Sequence, residues 1–226
     1  MATGKATSNG ARGKGPKAAP KGRLYAGLSA PERRADRRER LLQAGLQLFG
    51  TAGFQKTTIP MLCTASGVTA RHFYEEFDSR ETLLRTLYDQ IAETTFERTV
   101  EALRDVSSSP AERIRRSSAA YFRYLTSDPR LAQIYTIEAV GMHADLEAHR
   151  RAKREAFVKK MTKAAQRVEP ESVDSRLLSA AIAGAAHDLL LEWVLAPRRP
   201  SVDKLIETIT TLWIRTLRLE PERVTA

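Results

Sequence analysis

From Pro31 almost to the C-terminus, apolar residues recur at spacings of three and four, and no stretch alternates as a half-buried strand does. β-branched runs are missing and Gly/Pro turns are widely spaced. A chain patterned in this way folds as helices, so the expected fold class is all-α. The apolar share of 42% supports a sizeable core, and 226 residues suffice for one and a half to two domains. A single cysteine, Cys63, excludes an internal disulfide framework and a Cys-rich zinc site. The four histidines show no HExxH spacing, so neither a metal nor a cofactor is expected. The most apolar segment, 177–196, contains His187, Asp188 and Glu192, which argues against a membrane span. The basic N-terminus lacks the apolar stretch of a signal peptide, and a cytoplasmic protein is expected.

The charge is uneven. Of the net +10, +6 lies in residues 1–30, which hold no acid. That stretch is rich in Gly, Ala, Pro, Lys, Ser and Thr, a composition that predicts a disordered basic tail over 1–29. Such an arm is drawn to polyanions by counterion release, or serves only to solubilise.

The helical frames are punctuated by identifiable signals. Pro31 suits the first turn of a helix reaching Phe49, with Leu41, Leu42, Ala44, Leu48 and Phe49 on one face and Arg33, Arg34, Arg37, Arg38 and Arg40 opposite. Gly53 stops this helix, and Phe54 can fold back onto its apolar side. Thr58 is a natural N-cap, with Pro60 in the first turn of a short helix. Gly67 suits a left-handed turn position, and Thr69 opens a second short helix to Tyr74. Two short helices around a Gly-containing turn make a helix-turn-helix arrangement, although corners of this kind also occur without DNA function. Asp78 and Glu81 have capping-box spacing ahead of a long helix to about Asp105. Further helices are predicted over 110–127, 130–143, 145–168, 174–195 and 201–218, with most breaks marked by prolines.

Residues 38–88 resemble the tetracycline-repressor (TetR) family of bacterial transcription regulators. The resemblance rests on Arg40-Leu41-Leu42-Gln43-Ala44, Leu48-Phe49, Gly53-Phe54, Thr57-Thr58, Gly67-Val68-Thr69, Tyr74, Phe77, Arg80-Glu81 and Leu83-Leu84. It implies a three-helix helix-turn-helix DNA-binding domain over 30–78 and a helical effector-binding and dimerisation domain over 79–226. Three departures stand out. Gly45 replaces the usual Ala, at a helix-propensity cost of roughly 1 kcal/mol. Arg71 replaces a frequent Gly. Glu75 and Glu76 add like charge beside the phosphates.

The second short helix would enter the major groove by its N-terminal end, so Thr69, Ala70, Arg71 and His72 are the candidate base readers. Arg71 is suited to guanine O6 and N7. Thr69 can instead be only a cap, and His72 can meet a base or a phosphate. By resemblance, Thr58, Tyr74 and Arg80 grip phosphates, with a structural role for Tyr74 the alternative. Arg33, Arg34, Arg37 and Arg38 could extend this contact as an arm.

In the body, small residues crowd the helix around Ala180–Ala186, and the last helix carries a broad apolar stripe. The resemblance implies that segment 174–218 forms a homodimer, which suits a pseudo-palindromic site in double-stranded DNA. It also implies a pocket for a small-molecule effector of unknown identity. Candidate liners are Tyr121, Phe122, Tyr124, Tyr135, Glu138, Met142, His143, His187, Asp188 and Trp193, with ordinary core or surface placement the alternative for each. The basic run from Arg150 to Arg167 reads as a solvated helix face, with a secondary polyanion contact the alternative. The expected function is therefore a DNA-binding regulator, usually a repressor, nucleoid-associated when bound to DNA. The alternative is a constitutive or architectural DNA-binding protein without an effector. No enzyme motif is found, and an enzyme is not expected.

Overall fold

A computed structural model describes residues 1, 29–104, 107–139, 144–166 and 175–216. Among these there is no strand; the chain is a succession of helices. The predicted basic tail lies outside the described residues, apart from Met1 and Ser29.

α1 (Ala30–Phe49) begins one residue before Pro31. Ser29 and Glu32 close a reciprocal capping box, with the Ser29 N–H donating to Glu32 at 2.6 Å. The helix ends at Gly50, earlier than Gly53, which takes the positive φ of the turn that follows. Phe54 folds back onto Phe49, ring centroids 5.3 Å apart. α2 (Ile59–Ser66) is capped by Thr58 and carries Pro60 in its first turn, while Gly67 stops it at φ 63°. Val68 is buried in the corner, and α3 (Ala70–Glu76) starts on the Thr69 cap. α4 (Arg80–Arg104) is capped by Ser79, not by Asp78: Ser79 Oγ accepts the Thr82 N–H at 3.1 Å. The helix starts at Arg80, which makes Ser79 the residue in cap position.

α4 joins the two halves. Its 25 residues span about 37 Å at the α-helical rise. Leu83 and Leu87 lie so close to α1 that a Cβ on Gly45 would stand 2.3 Å from Leu83 Cδ2. The departure at Gly45 thus has a packing reason: its missing side chain lets α4 seat on α1. Beyond the head, α4 packs on α5 (Pro110–Ser127). α6 (Pro129–Gln133) runs directly into a π-helical turn, Ile134–Glu138, where the Ala139 N–H reaches back to Ile134 O. The sequence pattern predicts one helix over 130–143; the short α-turn followed by the π-turn stands in its place, and 140–143 lie outside the described residues. α7 (Ala144–Gln166), α8 (Ser175–Leu195) and α9 (Val202–Thr216) complete the body, α8 packing on both α7 and α9 and α9 on α5.

α8 is long and apolar enough to cross a membrane by length and composition, with only 28% of that stretch buried within the chain. Leu177 is 62% exposed and Leu195 61%. Ile182, Leu190 and Trp193 face the core. An open apolar face therefore runs along a helix whose other side is packed.

Candidate nucleic-acid interface and effector cavity

α3 is positioned by two phenylalanines, Phe73 within it and Phe77 at its C-cap. Phe73 and Phe77, one turn apart, are buried, with ring centroids 6.1 Å apart. That fixes the opposite face outward. Arg71 is 87% exposed along its side chain, Tyr74 is 57% exposed, and Thr69 and Ala70 are exposed. Among the described residues Arg71 Nε reaches Glu75 alone, at 3.2 Å, a solvent-screened pair one turn away that a stronger acceptor can replace. His72 is less free: its Nδ1 lies 3.1 Å from the Thr69 hydroxyl, which also accepts the His72 N–H.

The corner is held by arginines from outside it. Arg40 Nη1 donates to Ser66 O at 2.9 Å and to Gly67 O at 3.4 Å. Arg34 Nε lies 3.1 Å from Glu76 Oε1 and Arg37 Nη2 3.9 Å from the same atom; Glu76 is 1% exposed. Arg38 donates to Glu76 O at 3.0 Å and covers the Phe77 ring at 4.3 Å. Glu76 is therefore not a charge facing phosphates. It is turned inward and neutralised, leaving Glu75 as the acid beside the reading face. Of the candidate arm, Arg34, Arg37 and Arg38 are engaged in bracing α3, and Arg33 is half-buried at the start of α1.

The candidate phosphate residues divide. Thr58 is exposed at the start of α2, its hydroxyl accepting the Met61 N–H, and Tyr74 is open. Arg80 turns inward: its Nη1 donates to Thr57 O and, at 3.2 Å, to Phe54 O, and its guanidinium lies over the Phe54 ring at 4.3 Å. It pins the α1–α2 connection to α4. Only part of it is exposed, so its first role in this geometry is bracing.

In the body, a cavity of about 300 Å³ opens between α4, α5, α7 and α8. Its floor is aromatic. Tyr135 stacks on Tyr88 at 5.7 Å and meets Tyr121 at 6.4 Å and His187 at 5.9 Å. Burial pushes the phenols of Tyr121 and Tyr135 well above their usual range, so both stay protonated donors. Burial also lowers His187, with the nearby charge of Arg150 adding to it, so its ring is held neutral. The mouth is cationic, with Arg150, Arg151, Lys153, Arg154 and Lys160 among its liners.

Of the predicted liners, Tyr121, Tyr135 and His187 meet here. Phe122 lines a smaller chamber behind them. Tyr124 sits instead under Arg98, in an open groove on α5, because its ring falls on the outer side of that helix. Glu138 turns to the head, where its Oε2 accepts the Phe54 N–H at 2.7 Å. Asp188 is exposed, and Trp193 is buried beneath Arg199. Met142 and His143 lie outside the described residues. The basic run on α7 is not simply a solvated face, since Arg150 and Arg154 border the cavity. A signal was present: Arg150, Arg154, Phe157 and Met161 form one stripe at helical spacing, grading from charged to apolar. Among the described residues, no group of three side chains comes together that could hold a metal.

A braced short helix with a free polar face, carried by a long helix on a helical body that encloses a cavity, makes a helix-turn-helix head on a helical body. Residues 41–87 match the model of bacterial regulatory proteins of the tetR family. That match spans the head, and the fold of the whole chain is that of solved regulators. The fatty acid degradation regulator FadR from Bacillus halodurans superposes with a TM-score of 0.73 at 16% identity, over 81% of this chain and 97% of that one. A putative TetR-family transcriptional regulator from Syntrophomonas wolfei gives 0.70 at 17%, over 85% and 99%. FadR from Bacillus subtilis, solved in complex with stearoyl-CoA, gives 0.69 at 17%, over 77% and 96%. No curated protein sequence matches the chain.

Proposed function

We propose that the chain is a homodimeric, sequence-specific DNA-binding repressor, released from a pseudo-palindromic operator by a small molecule bound in the body. The observation that carries this reading is the outward face of α3: Arg71, 87% exposed, beside Ala70 and Tyr74 on a helix whose other face is locked by Phe73 and Phe77. Arg71 reads a guanine through O6 and N7, Thr69 and Ala70 offer methyl contacts to thymine, and His72 lies beside them. Thr58 and Tyr74 hold phosphates, and Arg80 sets the angle between α2 and α4 that aims them.

The open face of α8, with Leu177 and Leu195, and exposed Leu212 on α9 support pairing through 174–218. A twofold dimer presents two α3 helices to half-sites about one DNA turn apart or a multiple of it, roughly 34–36 Å. The cavity supports effector binding, as does the stearoyl-CoA complex of the Bacillus subtilis neighbour. An effector shifts DNA affinity only through a difference in its own affinity for the two body conformations.

Selection of bound duplexes from random DNA by the full-length protein tests this reading. An enriched inverted repeat, bound by a species of twice the monomer mass, supports it. Sequence-independent binding alone overturns it.

A further inference from the structure

We infer that the body cavity takes a medium-chain amphiphile with an anionic head, the head at Arg150 and Arg154 and the apolar chain directed past Phe157 into the bundle. The inference rests on the reading of the body as an effector domain and names the chemistry of its ligand.

Charge comes first. Arg150 gives Nη1 to Glu147 at 2.7 Å, but its Nε is buried without a hydrogen-bond partner among the described residues. A buried cationic donor left unmade is costly unless a ligand supplies the acceptor. One turn along α7, Arg154 reaches across to α8, where a Cβ on Gly184 would stand 3.0 Å from its Nη2. No carboxylate among the described residues pairs with Arg154. Lys153, by contrast, is shared between Asp89 and Glu93, each at 3.7 Å. The acids at the mouth, Glu93 and Glu147, are thus already matched, and the uncompensated charge is positive.

Polarity then falls with depth. Behind Tyr121, Phe157 and Ala183, which border both spaces, lies an inner chamber of about 40 Å³ reaching Met161, Ile182 and Trp213. The hydroxyls of Thr99, Ser117, Ser118 and Ser179 line it, but the first three are donated to backbone carbonyls at 2.6, 3.0 and 2.9 Å, and most of the remaining wall is hydrocarbon. The chamber therefore presents an apolar surface to a guest. A charged mouth with a dry interior selects a molecule charged at one end only. The outer volume sits at the small end of ligand cavities, roughly 300–1,000 Å³, which favours about eight carbons over eighteen. The head can be a free carboxylate or the phosphates of a carrier thioester, since both are anions that a guanidinium binds.

Calorimetry on the full-length protein with octanoate, octanoyl-CoA, octanol and octylamine decides between these. Intrinsic fluorescence from Trp213 at the chamber provides a second readout. Octanoate or octanoyl-CoA is expected to bind at least about tenfold more tightly than octanol, with octylamine weakest. Which of the two anions binds identifies the head. Arg154→Ala is expected to lose about tenfold for the anion and nothing for octanol, and Arg154→Lys to recover most of it. Equal binding of octanol and the anions overturns the inference, as does an Arg154→Ala variant that binds the anion unchanged. DNA affinity measured on the same samples keeps the two claims separate. If the protein holds its selected duplex but binds neither anion, the ligand assignment fails and the DNA-binding reading stands.

Discussion

Tyr135 and Glu138 lie three residues apart on one π-helical turn and engage opposite halves of the molecule. Tyr135 stacks on Tyr88 at the cavity floor, 5.7 Å away. Glu138 accepts the Phe54 N–H of the head at 2.7 Å and is steadied by Gln133 Nε2 at 2.8 Å. Beside it, Arg130 donates to Gln47 on α1. A single turn thus touches both the cavity and the reading head, and π-turns of this kind are often found at functional sites.

Replacing Glu138 with Ala removes a charge-assisted bond between residues 84 positions apart. Stability is expected to fall by about 1–3 kcal/mol. Ligand-dependent release of DNA should be blunted more than DNA affinity itself. Urea unfolding and polarisation titrations with and without octanoate measure both effects. A variant that releases DNA as readily as the native protein would show that the coupling runs through α4 alone.

Gly45→Ala separates two opposing effects. Helix propensity alone favours Ala by roughly 1 kcal/mol. The new methyl, however, would stand 2.3 Å from Leu83 Cδ2 and 2.9 Å from Leu87 Cδ1. Overpacking should win, for a net loss of about 1–3 kcal/mol in urea unfolding. A stabilised variant would mean that α4 is free to move away from α1.

Glu76→Ala leaves Arg34 and Arg37 without their shared carboxylate at the end of α3. The head should lose about 1–3 kcal/mol of stability and DNA affinity should fall, although Glu76 touches no DNA. If Glu76 instead acted by repelling phosphates, the same change would tighten binding. The sign of the affinity change decides between the two.

Side-chain hydrogen bonds from the Arg130 guanidinium hold the Asp128 carboxyl below its usual range. A carboxylate depressed in the folded state contributes stability that is present above its unfolded pKa. That contribution is lost as pH falls through the folded value. Asp128→Asn should therefore be less stable than the native protein at pH 7, and the gap should close as pH drops below about 4. A gap that is constant with pH would assign the loss to the α6 cap rather than to the ion pair.

The head was legible because its rules are local. Thr58, Gly67 and Thr69 each act within four residues, and Phe73 with Phe77 settles which face of α3 turns outward. The inward turn of Glu76 was not legible, since it depends on arginines about forty residues earlier. Nor was the π-turn: its five residues fit an α-helical pattern equally well, and it is the backbone bonding, as in the Ala139-to-Ile134 bond, that distinguishes it. The cavity was half visible. Tyr121, Tyr135 and His187 are polar groups on apolar helices, whereas the stripe of Arg150 and Arg154 with Phe157 and Met161 is masked by the other basic residues of α7 and borders a cavity because α4 and α8 pack beside it.

The central claim is that α3 reads sequence through Arg71. Parallel selections from random DNA with the native protein and with Arg71→Ala test it most directly, because Arg71 is exposed and its one partner among the described residues is Glu75. The same inverted repeat is expected from both, with preference relaxed at one base pair of each half-site by about 1–3 kcal/mol in the variant and no loss of stability. An unchanged preference at every position would contradict the account.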